Sequence, residues 1–499
     1  MSTFDPTRRQ LLKAAAWLPL ASACGRLAFA AEPASPKGAV QASLTLRPQQ
    51  QGRVVSDSLS GFSYETQQLE NPAFFSADNQ ALVRLFRELS PRGVLRIGGN
   101  SSDYTVWTAY RGEVPAQRTH KGGPQRPVLL RPEALHSLAG FLRATGWKLV
   151  FGVNLKIGAP AMAVELARAV REIVGDDLIA IQVGNEANNY EADYAAFDNA
   201  WTPYAAELRA AGLPIAGPDT GANTDWVVEY AKRHGGDNVF LSRHYYKEAA
   251  PRGSIADLLA GDAAFYAEVE QAMQAADASR LPLRLTEANS YYLGGRDGVS
   301  NVFASALWGA DFMLAMAQRG VAGIHFHGGT LDSIEASLGR KADASTAASD
   351  QVARRDAVTS RYSAIAGDVG LGFQPRPLYY GMQLAQQFAG ARTVAADLDA
   401  GGANLTAYAA ARGQALLVAL INKDAGRDAT VSLSGLHGRP QGRVMRLSAP
   451  ALDSRSGVVF ENGADEAHAG RRVAVDASGR CSVVLPRGSA ALVRLDGFV

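Results

Sequence analysis

Two glutamates stand where a folded chain puts catalytic carboxylates. The run Leu178-Ile179-Ala180-Ile181-Gln182-Val183 leads straight into Gly184-Asn185-Glu186, and Leu283-Arg284-Leu285-Thr286 leads into Glu287. Short apolar runs of this kind form buried strands, so each glutamate falls at a strand's C-terminal end. Hydrolysis of a glycosidic bond with retention needs two carboxyl groups about 5–5.5 Å apart on opposite sides of the sugar, one protonated and one ionised. A single strand-end glutamate is commonly a salt-bridge partner or a helix cap. Two of them, ending different buried strands, point instead to paired-carboxylate chemistry, with Glu186 as proton donor and Glu287 as nucleophile. Asn185 sets an amide beside Glu186, suited to a sugar 2-hydroxyl whose hydrogen bond strengthens in the transition state.

The elements that must position this pair alternate in type. Strand candidates lie at 59–64, 93–97, 148–154, 178–183, 214–217, 239–244, 283–286 and 320–326. Amphipathic helical patterns fall between them at 77–89, 132–144, 161–174, 192–211, 255–275 and 302–318. This predicts a (β/α)8 TIM barrel over 59–390, with the two glutamates after strands four and seven. An open doubly wound sheet would alternate too, but Gly98-Gly99-Asn100 lacks the G-x-G-x-x-G spacing of a nucleotide-binding turn. Beyond 390 short β runs at 405–410, 415–422, 429–433, 442–447, 472–475 and 482–486 predict a C-terminal antiparallel β-sandwich over 391–499. The β-like segment within 31–58 is expected to pair with it. Residues 331–361, polar and alanine-rich, read as an excursion after the eighth strand that either lines the site or faces solvent.

The first thirty residues read as a signal. Arg8-Arg9 precedes an apolar run, and Ala28-Phe29-Ala30 offers a small-x-small cleavage site, the pattern of a twin-arginine export signal. Cys24 raises lipidation as a secondary option, though Ala21 stands where a lipoprotein box has leucine. That segment holds Arg8, Arg9, Lys13 and Arg26 against Asp5, so removing it turns the chain's net +2 into about −1. A nucleic-acid binder would keep a strong positive balance. Of two cysteines only Cys481 remains, no Cys/His cluster has zinc-ligand spacing, and no later apolar stretch reaches the ~18 residues that span a bilayer. A periplasmic or secreted protein without metal, nucleic-acid partner or membrane span is expected.

Gly184-Asn185-Glu186 and Glu287 resemble the clan of retaining barrel glycosidases. The segments Leu95-Arg96-Ile97-Gly98-Gly99-Asn100, Gly217-Pro218-Asp219-Thr220-Gly221, His244-Tyr245-Tyr246 and Glu287 through Gly295 resemble, more narrowly, glycoside hydrolase family 79, the β-glucuronidases and heparanases. The resemblance implies a glucuronic-acid-containing substrate whose carboxylate is held by Tyr292, Gly294 and Gly295, with Tyr362 as a second tyrosine on that side. Missing Cβ atoms let N–H groups approach an anion closely, although a plain Gly-Gly turn beside core tyrosines has the same sequence. Glu65 falls where the family contacts the terminal 4-hydroxyl, and Asn100 either meets substrate or holds the Gly98-Gly99 turn. Tyr246 is expected to bond Glu287, and His244 to support the pair or to be structural. His325 and His327 read as packing or subsite residues.

The chain departs from heparanases at Ala222, where they carry glutamine, and it lacks a dense basic stretch. Both features favour exo action on short glucuronides over cleavage within long heparan chains. No cofactor is needed for double displacement. Another sugar specificity in the same clan, or a non-catalytic glycan-binding protein on the same scaffold, are the alternatives.

Overall fold

The computed structural model describes residues 38–115, 126–342, 350–436, 441–461 and 470–497. The signal at 1–30, with Cys24, lies outside them. Eight parallel strands, Ser60–Glu65, Val94–Gly98, Lys148–Val153, Leu178–Val183, Ile215–Thr220, Leu241–Ala249, Leu283–Tyr292 and Gly323–Gly328, close into a barrel in that order. Pairing of Ile324 through Gly328 with Ser60 through Tyr64 seals it, which excludes the open sheet.

Strand geometry explains which side chains reach the interior. Along Ser60–Glu65, Phe62 and Tyr64 pack outward against Phe86 and Phe75 of the surrounding layer, so Ser63 and Glu65 point inward by the two-residue period. Both faces are buried, hence the near-continuous apolar runs. The seventh strand extends to Tyr292, beyond the predicted end at 286. Its pairing with the sixth slips between Leu285 and Glu287. Such a bulge interrupts the alternation and turns neighbouring side chains to one face. The fifth strand slips likewise between Pro218 and Thr220, where Asp219 adopts φ +57°. The predicted helix 255–275 is two helices, Ile255–Leu259 and Ala263–Ser279. Asp262 starts the second by accepting from the Phe265 N–H, and Gly261 leaves the junction free to bend.

The C-terminal strands form one continuous ten-stranded sheet rather than two hydrogen-bonded sheets. It curls around a core that includes Leu44, Leu416, Val418, Val431, Val444 and Val493. Val40–Val54 belongs to it, pairing antiparallel with Arg392–Asp399 and parallel with Ala429–Ser434. After the eighth barrel strand come the helices Leu331–Ser337 and Gln351–Ala357 and the hairpin Ile365–Asp368 with Gly372–Pro375. No helix among the described residues is long and apolar enough to cross a membrane.

Helix Ala304–Arg319, buried along nearly its whole length, packs between the barrel and the curled sheet. Its one inward acid, Asp311, accepts from Thr406 Oγ1 at 2.6 Å and Tyr408 OH at 2.7 Å and pairs with Lys423 Nζ at 2.6 Å. Replacing Asp311 by alanine strands a buried ammonium, so Asp311→Ala should cost about 3–5 kcal/mol in urea unfolding. Asp311→Leu combined with Lys423→Met should recover most of that loss.

Candidate active site

Arg96 projects from the second strand into the barrel and is 1% exposed. A guanidinium has five N–H groups, and each has an acceptor here. Nη1 donates to Ser63 Oγ at 3.0 Å and Glu287 Oε2 at 2.7 Å. Nη2 donates to Asn185 Oδ1 at 2.7 Å and Asp219 Oδ2 at 2.6 Å, and Nε to Gln182 Oε1 at 3.3 Å. The close passage of this side chain explains Gly98, where a Cβ would sit 2.9 Å from Arg96 Cζ.

The bulge in the seventh strand aims Thr286 and Glu287 together into this network. Thr286 Oγ1 donates to Asp219 Oδ1 at 2.6 Å, and Glu287 Oε1 accepts from Tyr246 OH at 2.8 Å. Burial alone would push the Glu287 carboxyl up. The charges of His327, His244 and Arg96 and the Tyr246 hydrogen bond outweigh it and hold Glu287 down at about 2. It is built to be ionised.

Glu186 follows the fourth strand with φ +49°, a left-handed conformation uncommon for a side-chain-bearing residue. Its N–H donates to the Asp219 carbonyl at 2.9 Å, which ties the ends of strands four and five. Asn189 Nδ2 donates to its Oε2 at 2.8 Å, and His244 Nδ1 lies 2.9 Å from Oε1. The His244 Nε2 sits 3.1 Å from Asp219 Oδ1 without the alignment of a good hydrogen bond. Burial pulls the imidazole down, but the Asp219 and Glu287 charges and its close contacts with Asp219 and Glu186 raise it to about 10. Asp219 is held below the usual carboxylate range: burial opposes this, and Arg96 and His244 overcome it. Arg96 thus pairs with Asp219 and Glu287, while His244 bridges Asp219 and Glu186 through its two ring nitrogens.

These groups floor a cavity of about 330 Å³. Glu65, Asn100, Glu186, His244, Tyr246, Glu287, Tyr292, Gly294 and Tyr362 all line it. Two expected site residues do not. Asn185 lies one layer beneath, its amide oxygen taken by Arg96 and its N–H given to Asn100 Oδ1 at 3.1 Å. Gly295 packs behind Tyr362, where a Cβ would meet the Tyr362 nitrogen at 2.6 Å. Tyr292 stands at the mouth, 41% exposed, whereas Tyr362 is buried in the wall. Both rings flank Tyr246, at 6.3 and 6.1 Å between centroids. Leu293, Gly294 and Gly295 all have left-handed φ, +67°, +84° and +84°, so the turn needs glycine at its last two positions. Glu65 accepts from the Ser101 N–H and hydroxyl at 2.8 and 2.6 Å.

Sequence reading passed over Arg96, Asp219, Gln182, Thr286 and Asn189. The signal for Arg96 was present, since a charge inside the apolar run Val94-Leu95-Arg96-Ile97 is rarely buried without partners. The two histidines of the eighth strand separate. His325 pairs with Arg284 Nε at 3.2 Å inside the barrel, away from the cavity. His327 joins the cavity wall, with Nε2 3.5 Å from Glu65 and Nδ1 3.8 Å from Glu287. Donor atoms of Glu186, His244 and Glu287 lie within 4.8 Å of one another, close enough to share a metal ion. A dication there would displace the His244 proton and face the Arg96 guanidinium on Glu287, an unfavourable site.

Known proteins are similar to this chain in sequence or in fold. A β-glucuronidase of Neurospora crassa is 24% identical over 290 residues, 47% of this chain and 50% of that protein. A β-glucuronidase of Aspergillus niger is 24% identical over 306 residues, 52% of this chain and 55% of that protein. The chain spans about half the length of these curated relatives. Among solved structures, a 4-O-α-L-rhamnosyl-β-D-glucuronidase from Fusarium oxysporum 12S, in complex with Rha-GlcA, aligns with a TM-score of 0.68. That alignment covers 90% of this chain and 99% of the other at 18% identity. The fold is the same. No protein-family model matches the chain.

The His244 environment has a consequence for stability. Its folded value of about 10 stands above the ordinary 6.5, so its charge stabilises the fold fully below pH 6.5 and ceases to as pH rises through about 10. The stability difference between wild type and His244→Asn should therefore shrink steadily from pH 6 to pH 10 in urea unfolding. A difference that stays constant over that range would refute the assignment of a charged imidazole.

Proposed function

We propose that this chain is a retaining glycoside hydrolase acting on β-glucuronosyl linkages, a member of glycoside hydrolase family 79. One observation carries the reading: an oxygen of Glu186 and an oxygen of Glu287 come within 4.8 Å of each other across a cavity, and of the two only Glu287 is locked to a guanidinium. That close approach favours retention, since inverting enzymes hold their carboxyl groups about 6.5–9.5 Å apart to leave room for a water.

In the first step a Glu287 oxygen attacks the anomeric carbon while Glu186 gives its proton to the departing glycosidic oxygen. In the second, Glu186 takes a proton from water, which displaces Glu287 and regenerates both groups. Arg96 and Tyr246 orient the nucleophile through one oxygen each. His244 and Asn189 fix the Glu186 carboxyl toward the leaving group. No cofactor enters this sequence.

For the sugar, Glu65 and Asn100 offer polar contacts on one side of the cavity. The Leu293–Gly295 turn, Tyr362 and Tyr292 form the other, where a uronate carboxylate would meet hydroxyls and backbone N–H groups. Asn185 acts through Asn100, and Gly295 through Tyr362. The cavity is at the small end of ligand sites, roughly 300–1,000 Å³, which favours a terminal glucuronide over a long chain. The β-glucuronidase relatives and the glucuronidase fold support the same choice of sugar.

Glu287→Gln should lose at least about 1000-fold in kcat on an aryl β-glucuronide while still folding to a cooperatively unfolding protein. Near-wild-type turnover would exclude the nucleophile, and glycan binding without hydrolysis by wild type would identify a binding protein instead. The kcat/KM for the matched aryl β-glucoside should be lower by about 100-fold or more, because the carboxylate contacts go unmade. Equal values would return the assignment to a different sugar.

A further inference from the structure

The two walls that carry Gly294 and Tyr362 meet at a charge cluster away from the reacting carboxylates. One of its cations comes from the curled C-terminal sheet. Arg455 donates to Asp297 through Nη2 at 2.7 Å and Nη1 at 3.1 Å, and Nη1 also reaches Asp356 Oδ2 at 3.2 Å. Asp297 lies three residues after Gly294. Arg361, next to Tyr362, is 3.5 Å from Asp297 and donates to the Asp356 carbonyl at 3.1 Å. Asp356 is anchored beneath by the buried Arg376 at 2.6 Å. The same sheet loop contributes backbone: the carbonyls of Ser454 and Leu452 accept from the Phe303 and Ala304 N–H groups, both at 2.8 Å. These are the first N–H groups of helix Ala304–Arg319, whose own N-cap offers no side-chain acceptor.

We propose that Arg455 is a positioning residue for the sugar-binding wall, holding Asp297 so that the Leu293–Gly295 turn keeps its distance from Tyr362. The inference rests on reading that turn as the uronate side of the site. A turn with two adjacent glycines has high backbone freedom and needs an outside restraint to present its groups in one geometry. An exposed ion pair in isolation contributes little. Arg455 differs in bridging two acids, one on the turn's own loop and one on the excursion that carries Tyr362. Neither acid touches Glu186 or Glu287, so loosening the cluster should weaken sugar binding and leave the bond-breaking step alone.

The test compares Arg455→Met, which keeps the stem and removes the charge, with Arg455→Lys and a control, Arg494→Met. Each is assayed on whichever aryl glycoside wild type hydrolyses best. Arg455→Met should raise KM about five-fold with kcat within about two-fold, the lysine variant should recover most of the loss, and the control should match wild type. Hydrogen exchange of peptides covering 293–303 should quicken in Arg455→Met alone. Unchanged KM and unchanged exchange would overturn the proposal, as would a fall in kcat that tracks a lowered melting temperature. Preference of wild type for a neutral glycoside would defeat the uronate reading without altering the exchange result, which judges the positioning role by itself.

Discussion

A guanidinium in the middle of a β-barrel must find an acceptor for every N–H, because an unpaired buried charge costs several kcal/mol. Arg96 meets that demand with groups from the first, fourth, fifth and seventh strands or their ends. The rest of the floor follows from it. Asp219 and Glu287 stay ionised beside it, His244 takes a proton to balance the second acid, and Asn185 surrenders its amide oxygen. Glu186 stands outside the Arg96 contacts and meets only His244 and Asn189. The distinction between the two glutamates is thus a distribution of partners, since the side chains themselves are identical.

Aiming these groups required departures from regular strand geometry. Strict alternation along the seventh strand would have sent Thr286 and Glu287 to opposite faces, one of them into the apolar layer under the helices. The bulge puts both inside, Thr286 on Asp219 and Glu287 on Arg96. The fifth strand does the same at Asp219, with a left-handed residue as the local cost. Irregularities of this kind recur at barrel rims next to functional sites.

Glu287 sits within a strand and Glu186 just past one, whereas the opposite wall is made of loops: the Leu293–Gly295 turn and the excursion reaching Tyr362. Loops vary shape easily but hold it poorly. Here the curled sheet stiffens them from behind, through Arg455 and the carbonyls of Leu452 and Ser454, while Asp311 and Lys423 clamp the same helix further along. The curled sheet is therefore part of the site's framework even though none of its described residues lines the cavity.

Sequence alone determined the alternation of strands and helices and the placement of Glu186 just past a strand, because burial leaves a local imprint in apolar runs and their endings; Glu287, expected at a strand end, lies inside a strand that runs on to Tyr292. The aromatic and glycine positions around Tyr292, Gly294 and Tyr362 were legible through family resemblance. Tertiary structure decided the rest. No local pattern distinguishes a strand arginine that organises a site from one that packs, and Arg96 acquires its role only when acceptors from four other strands converge on it. Bulges move side chains between faces without changing composition, which hid Asp219 and Thr286. The sandwich-like β region was legible, but its continuity as one curled sheet was not, because strand signals record burial and give no pairing order. Residue types were legible locally; which glutamate meets Arg96 depends on contacts that only closure of the barrel brings together.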